Sequence, residues 1–106
     1  MSWRVTDFVH ENLGTGLSVE QMARHAGLSP AHFTRAFKLS TGEAPHQFVM
    51  RCRLEKARRA LERPHPDLLN VALSSGFSDQ AHLTRLFKRR YGVTPGQFVR
   101  ARGRGL

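Results

Sequence analysis

The chain contains an internal repeat with a period of about fifty residues. When residues 31–49 are shifted by fifty positions onto residues 81–99, 11 of the 19 positions are identical. The identical positions of the first copy are Ala31, His32, Thr34, Arg35, Phe37, Lys38, Gly42, Pro45, Gln47, Phe48 and Val49. Upstream, Gly27 matches Gly76 at a shift of 49, so the second copy has one more residue after its glycine. A chain of 106 residues therefore holds two copies of one small supersecondary unit.

Each copy has the periodicity of an amphipathic helix. In the first copy Phe33, Ala36 and Phe37 fall at i, i+3 and i+4, and the equivalent residues of the second copy are also apolar. The opposite stripe is polar in both copies and consists of Ala31, Thr34, Arg35 and Lys38, and of Ala81, Thr84, Arg85 and Lys88. We expect the apolar stripes to face a core, with Phe37 and Phe87 as core anchors, like the repeated Phe48 and Phe98. Each of the two helices then exposes the same short face, which is rich in hydrogen-bond donors.

Capping residues indicate where the helices of the first copy begin and end. A helix over about residues 19–26 ends at Gly27, the residue type that tolerates a left-handed C-cap. Ser29 and Pro30 provide an N-cap and a first-turn proline for the next helix, which ends at Gly42. The pattern predicts a helix, a tight turn and a second helix.

The second copy has equivalent capping residues at its helix ends. Asp67 can cap a helix that ends at Gly76, and either Ser78 or Asp79 can cap the following helix. That helix stops at Gly92, and the next one opens at Pro95 behind Thr94, as a helix opens at Pro45 in the first copy.

An amphipathic connector helix is predicted over residues 45–63, between a first lobe at 1–44 and a second lobe at 64–106. Pro64 and Pro66 end this helix, and a further helix over about Trp3 to Asn12 closes the first lobe. The last four residues, 103–106, are expected to fray. The predicted fold class is all-α and bilobed, with about seven helices in a single domain over residues 1–106.

The charge of the chain favours a polyanionic partner. Lys and Arg total 17 against 8 Asp and Glu, a net charge of +9, and no acidic residue follows Asp79. Fourteen of the cations are arginine, whose planar guanidinium can donate two parallel hydrogen bonds to phosphate or guanine. Charge alone is equally compatible with a solvated basic surface.

Several classes of protein are excluded by composition. The single cysteine, Cys52, rules out an internal disulfide and is expected to act as a small apolar residue of the connector. No Cys and His pairs have zinc-ligand spacing, and no nucleophile and base pair or phosphate loop is present. We therefore expect no metal, no cofactor and no enzymatic activity. Without a signal peptide or an apolar span, a cytoplasmic protein is expected.

The segment GFSDQAHLTRLFKRRYGVTP, residues 76–95, resembles the second helix-turn-helix signature of the AraC/XylS family of bacterial transcription regulators. Residues 17–38 resemble the first signature, and the resemblance covers about Ser18 to Arg100. It implies that two recognition helices enter adjacent major-groove segments, with centres about 34 Å apart. It also implies sequence-specific binding of double-stranded DNA and regulation of transcription.

Site residues are carried over from this resemblance. The implied base contacts are Ala31, Thr34, Arg35, Gln80, Ala81, His82, Thr84 and Arg85. The implied phosphate contacts are Ser29, Lys38, Ser78, Lys88, Arg89 and Arg100. Arg35 and Arg85 are the candidates for guanine, Gln80 for adenine, and Ala31 or Ala81 for a thymine methyl group. Several family members carry a larger side chain at the position of Ala31, so the first lobe is expected to contact fewer bases.

The resemblance has further implications, and alternatives remain open. The family's usual sensing domain does not appear in the sequence, so a monomer is expected, with a dimer if a flanking domain exists. Activation through contact with RNA polymerase is expected. For His32 and His82, phosphate contact and packing at the lobe edge are both compatible with their positions. A non-specific nucleic-acid-binding protein and a protein-interaction adapter with the same fold are the alternative functions.

Overall fold

Seven helices and no strands make up the computed structural model over residues 3–103, the part of the chain that it describes. The helices are α1 (Trp3–Glu11), α2 (Val19–Ala26), α3 (Pro30–Thr41), α4 (Pro45–Leu61), α5 (Leu68–Ser74), α6 (Gln80–Tyr91) and α7 (Pro95–Arg102). The predicted all-α class is confirmed. Within the described range, no helix combines the length and apolarity that a membrane span requires.

The helix ends of the first copy follow from local capping. Ser18 and Gln21 form a reciprocal capping box at the start of α2, with N–H to oxygen distances of 2.8 and 3.1 Å. Gly27 ends α2 with a φ of +75°. The Ser29 hydroxyl accepts the His32 backbone N–H at 3.2 Å, so Ser29 caps α3 as predicted.

In the second copy Asp79, and not Ser78, is the N-cap of α6. Its Oδ1 accepts the His82 backbone N–H at 2.7 Å, whereas Ser78 lies one residue before the cap. Asp67 caps α5 by accepting the N–H groups of Leu69 and Asn70 at 3.1 and 3.2 Å. An aspartate accepts a charge-assisted bond at a helix N-terminus, where the helix dipole favours negative charge.

The connector helix is shorter than predicted. We expected it to extend to Arg63, but α4 ends at Leu61. The N–H groups of Glu62 and Arg63 bond to carbonyls three residues back, those of Arg59 and Ala60, at 3.2 and 3.3 Å. The last turn is therefore tightened, because the helix cannot continue through the following Pro64.

Two compact units are present, Met1–Cys52 and Arg53–Leu106, and their boundary falls within α4. In the first unit, the core includes Phe33, Phe37 and Phe48 together with Val5, Val9, Leu13, Met22, Ala23, Val49 and Cys52. In the second, the buried apolar residues include Leu54, Ala57, Leu61, Val71, Ala72, Phe77, Leu83 and Phe87. The division into lobes at residues 1–44 and 64–106 with a connector at 45–63 remains a prediction.

The repeated phenylalanines pack in the same way in both units. Phe37 meets Phe48 edge to face with ring centroids 5.2 Å apart, and Phe87 meets Phe98 edge to face at 5.8 Å. Phe37 and Phe87 are fully buried and Phe48 is 8% exposed, as predicted for core anchors, whereas Phe98 is only half-buried. Each pair fixes the orientation of one helix, α3 or α6, against the helix that follows it.

One prediction concerns positions that the structure does not describe. Of the residues 103–106 that we expected to fray, residues 104–106 lie outside the described part of the chain.

Candidate nucleic-acid interface

The first candidate surface is the outer side of α3, here called the α3 face. It consists of Ser29, Ala31, Thr34, Arg35 and Lys38. All are exposed except Thr34, which is half-buried, because Phe33 and Phe37 turn the opposite side of the helix into the core. These five sequence-predicted residues therefore lie on one accessible helix side and at its N-terminus.

The second candidate surface is the equivalent side of α6, here called the α6 face. It consists of Ser78, Gln80, Ala81, His82, Thr84, Arg85, Lys88 and Arg89. His82 and Thr84 are half-buried and the others are exposed, since Leu83 and Phe87 fill the core. Arg100, the remaining phosphate candidate, is exposed on α7.

The two key arginines are available for a ligand. Arg35 and Arg85 are both exposed, and neither has an ion-pair or hydrogen-bond partner among residues 3–103. Ion pairing within each unit therefore does not occupy these two guanidinium groups in the described chain. A guanidinium that is solvated in the free protein can give its donors to guanine or phosphate.

The two threonines use their hydroxyl protons inside the helix. The Thr34 hydroxyl donates to the Pro30 carbonyl, and the Thr84 hydroxyl donates to the Gln80 carbonyl, both at 2.9 Å. In this rotamer each threonine can offer a ligand only an accepting oxygen or its methyl group. Sequence reasoning placed these residues correctly on the polar stripe but did not reveal this restriction.

The electrostatics of the α6 face are almost wholly positive. α6 and α7 contain no acidic residue, and Asp79 at the cap of α6 is the nearest acid in sequence. Elsewhere, burial lowers the pKa of the Arg53 guanidinium on α4, because desolvation disfavours its charged form. An arginine nevertheless keeps its charge at neutral pH. Neither α3 nor α6 contains an acidic residue, so no carboxylate on the same helix neutralises the cations of either face.

One exposed apolar residue borders the α3 face and was missed in the sequence. The Leu39 side chain is 88% exposed, and it lines an open surface depression with Arg35, Lys38 and Gly42. A signal was available, because Leu39 falls outside the apolar stripe of α3 and the repeat has Arg89 at its position. Leu39 lies one helical turn after Arg35, at the edge of the candidate interface.

The described chain holds no obvious metal site. Among residues 3–103, no group of three or more His, Cys, Asp or Glu side chains is placed to hold a metal ion. Cys52 is 2% exposed and belongs to the core of the first unit, in agreement with its expected role as a small apolar residue.

Comparison with known proteins relates this geometry to a family. A family model described as a helix-turn-helix domain matches residues 22–101. The HTH-type transcriptional regulator Rv1931c of Mycobacterium tuberculosis is 41% identical over 83 residues, which cover 78% of this chain and 32% of that protein. The chain thus spans about a third of the length of that relative.

Solved structures share the fold. The DNA-binding domain of AdpA, a global transcriptional factor crystallised in complex with a target DNA, has a TM-score of 0.88 at 32% identity and covers 92% of this chain and 88% of that chain. A probable AraC family transcriptional regulator from Rhodopseudomonas palustris has a TM-score of 0.79 at 26% identity and covers 92% of both chains.

Proposed function

This chain belongs to the AraC-type helix-turn-helix family, and we propose that it recognises specific sequences of double-stranded DNA and regulates transcription. In this proposal α3 and α6 act as recognition helices, and each enters the major groove with its exposed face. The family is one of DNA-binding regulators rather than of enzymes, and we propose that this chain has no catalytic activity.

The observation that carries the proposal is the duplicated cationic face. Arg35 and Arg85 occupy equivalent positions of the repeat, and both are exposed and unpaired within the described chain. A basic surface that is only solvated does not require the same residues at the same helix positions in both copies. Two equivalent arginines on two similar helices match the requirements of a site that binds two segments of one groove.

Each proposed contact has a chemical reason. Arg35 and Arg85 donate to the O6 and N7 atoms of guanine, and Gln80 binds the N6 and N7 atoms of adenine. Ala31 and Ala81 leave room for a thymine methyl group, and Thr34 and Thr84 contact a base through an accepting oxygen or a methyl group. The proposed phosphate contacts are Ser29, Lys38, Ser78, Lys88, Arg89 and Arg100.

Selection of binding sites from a random pool of double-stranded oligonucleotides tests the function. We expect enrichment of one sequence and a footprint of about two helical turns on it. Binding that depends on salt concentration but not on sequence would instead indicate a non-specific nucleic-acid-binding protein. The absence of any binding at low salt would favour a protein-interaction adapter.

The regulatory part of the proposal is activation. We propose that the chain, once bound to its site as a monomer, increases transcription through contact with RNA polymerase in the bacterial cytoplasm and nucleoid. Transcription in vitro from a promoter with the selected site, with purified polymerase, tests activation. Light scattering on the free chain and on its DNA complex tests the monomer, and a fluorescent fusion tests the location.

A further inference from the structure

The second copy of the repeat is longer than the first by one residue between its glycine and the cap of the helix that follows, and the structure locates this residue. α2 and α5 end with equivalent hydrogen bonds, from Leu28 N–H to the Ala23 carbonyl and from Phe77 N–H to the Ala72 carbonyl, both at 2.9 Å. In the first copy the N-cap of α3, Ser29, follows Leu28 directly. In the second copy Ser78 stands between Phe77 and the cap Asp79. Ser78 is therefore the insertion.

The inserted residue is bound by the ring of His82. The His82 Nδ1 atom lies 3.4 Å from the Ser78 backbone nitrogen and 3.2 Å from the Ser78 Oγ atom. The ring also meets Phe77 edge to face, with centroids 5.3 Å apart, and Phe77 is 3% exposed. The imidazole is therefore fixed on both residues that precede the cap of α6.

The equivalent histidine of the first copy has no such role. His32 is identical to His82 in the repeat, but no residue is inserted before Ser29. The His32 side chain is exposed, and among residues 3–103 its ring makes no hydrogen bond or ring contact. Two histidines at the same position of the repeat are thus in different environments, and the difference coincides with the insertion.

The contact with Ser78 also determines where the proton of the ring lies. A backbone N–H can only donate, so Nδ1 of His82 must be the accepting nitrogen, and the neutral ring carries its proton on Nε2. In the free chain the Ser78 hydroxyl donates to the same lone pair, which is consistent with two rather long distances. On DNA this hydroxyl can turn to a phosphate oxygen while the Ser78 backbone N–H keeps its bond to Nδ1.

We propose that His82 is a positioning residue, which holds the inserted Ser78 and thereby the N-terminus of the recognition helix α6, and that it does not contact a base. This inference rests on the proposed DNA-binding function. Gln80 and Ala81 open α6 directly after this turn, so a loosened turn would move both relative to the bases. The role differs from the base contact expected for His82 from the family resemblance.

Two substitutions at His82 separate the two roles. In His82→Asn the amide oxygen takes approximately the place of Nδ1, whereas in His82→Gln the amide group takes approximately the place of Nε2. If His82 positions α6, His82→Asn should bind the selected DNA site with an affinity within about twofold of that of the parent chain. His82→Gln should bind the same site about fivefold more weakly, without a changed preference at any base position. The matched controls His32→Asn and His32→Gln should bind alike.

The opposite result would overturn the inference. If His82 contacts a base through Nε2, His82→Gln should retain the affinity, and His82→Asn should lose it with a changed preference at one base pair. Equal affinity of the two His82 variants would also overturn it, whether both bind tightly or both bind weakly. Thermal unfolding of each variant verifies that the compared proteins are folded.

Nuclear magnetic resonance provides a second test that needs no DNA. Long-range ¹⁵N–¹H correlation spectra of the free chain should show the neutral His82 ring with its proton on Nε2, with the signals assigned by their loss in His82→Asn. A proton on Nδ1 would overturn the inference. If the parent chain shows no sequence preference, the proposed function fails, while the ring spectrum still decides whether His82 binds Ser78.

Discussion

Ser75 occupies in the second copy the position that Ala26 occupies in the first, one residue before the glycine of the turn, and it buries a hydroxyl group there. The Ser75 side chain is fully buried, and its Oγ atom has no hydrogen-bond partner in the described chain. A buried polar group without a partner loses its hydration and gains nothing in return. The first copy avoids this cost with a methyl group.

Ser75→Ala should therefore stabilise the chain. We expect the free energy of unfolding to rise by about 1 kcal/mol, because the desolvated hydroxyl is removed and the alanine methyl group fits the same space. Urea denaturation followed by circular dichroism measures the change. As a control, Ser74→Ala removes a hydroxyl that is bonded to the Val71 carbonyl at 3.4 Å and should not stabilise the chain. A less stable Ser75→Ala variant would contradict the prediction.

Arg35→Ala and Arg85→Ala should each weaken binding to the selected site by about 1 to 3 kcal/mol and relax the preference at one base position. The reason is the loss of a two-pronged hydrogen bond to guanine. Fluorescence anisotropy and a repeated selection measure the two effects. Arg63→Ala removes the same charge from an exposed position outside both faces and should change neither. An unchanged base preference in both variants would argue against direct contact.

Lys88→Ala should weaken binding by a similar factor for all DNA sequences. A lysine that binds phosphate contributes by releasing counterions, so the slope of log affinity against log salt concentration should fall by about 1. Titrations at several salt concentrations, with the selected site and with a scrambled duplex, measure it. An effect limited to the selected site would instead assign Lys88 to a base.

Glu43→Gln should destabilise the first unit modestly. Oε1 of Glu43 accepts from Nη2 and Nε of Arg51 at 2.6 and 3.1 Å, and the Arg51 guanidinium also lies over the Phe48 ring at 5.2 Å. Both side chains are about a third exposed, so we expect a loss of about 0.5 to 1 kcal/mol that shrinks at high salt.

The more exposed pair of Arg58 and Glu62, separated by 3.5 Å, provides the control for this change. Glu62→Gln should cost less than Glu43→Gln in the same urea titration. An equal or larger loss for Glu62→Gln would show that the geometry of the Arg51 pair adds no stability.

His65→Val should cost about 1 to 2 kcal/mol of stability. His65 has a φ of +50°, in the left-handed region, and it stands between Pro64 and Pro66. A β-branched side chain is strained there, whereas asparagine adopts this region readily. His65→Asn should therefore stay close to the parent chain in thermal unfolding. Equal stability of the valine and asparagine variants would show that the loop relaxes away from this conformation.

The helices and their limits could be predicted because the interactions that set them are local. A cap such as Asp67 bonds to N–H groups two and three residues later, and Gly27 adopts a left-handed conformation that other residues avoid. The outward side of α3 followed in the same way from the helical period of Phe33 and Phe37. The end of α4 was placed two residues too late, because its last turn tightens before Pro64.

The repeat and the caps thus determined the helical class, the number of helices and the polar residues that α3 and α6 expose. The tertiary structure decided what identical residues do in different surroundings. His82 binds Ser78 while His32 stays exposed, and Ser75 buries a hydroxyl where Ala26 has only a methyl group. Neighbours along the chain set a helix, whereas burial and the partner of a side chain depend on which groups folding brings beside it.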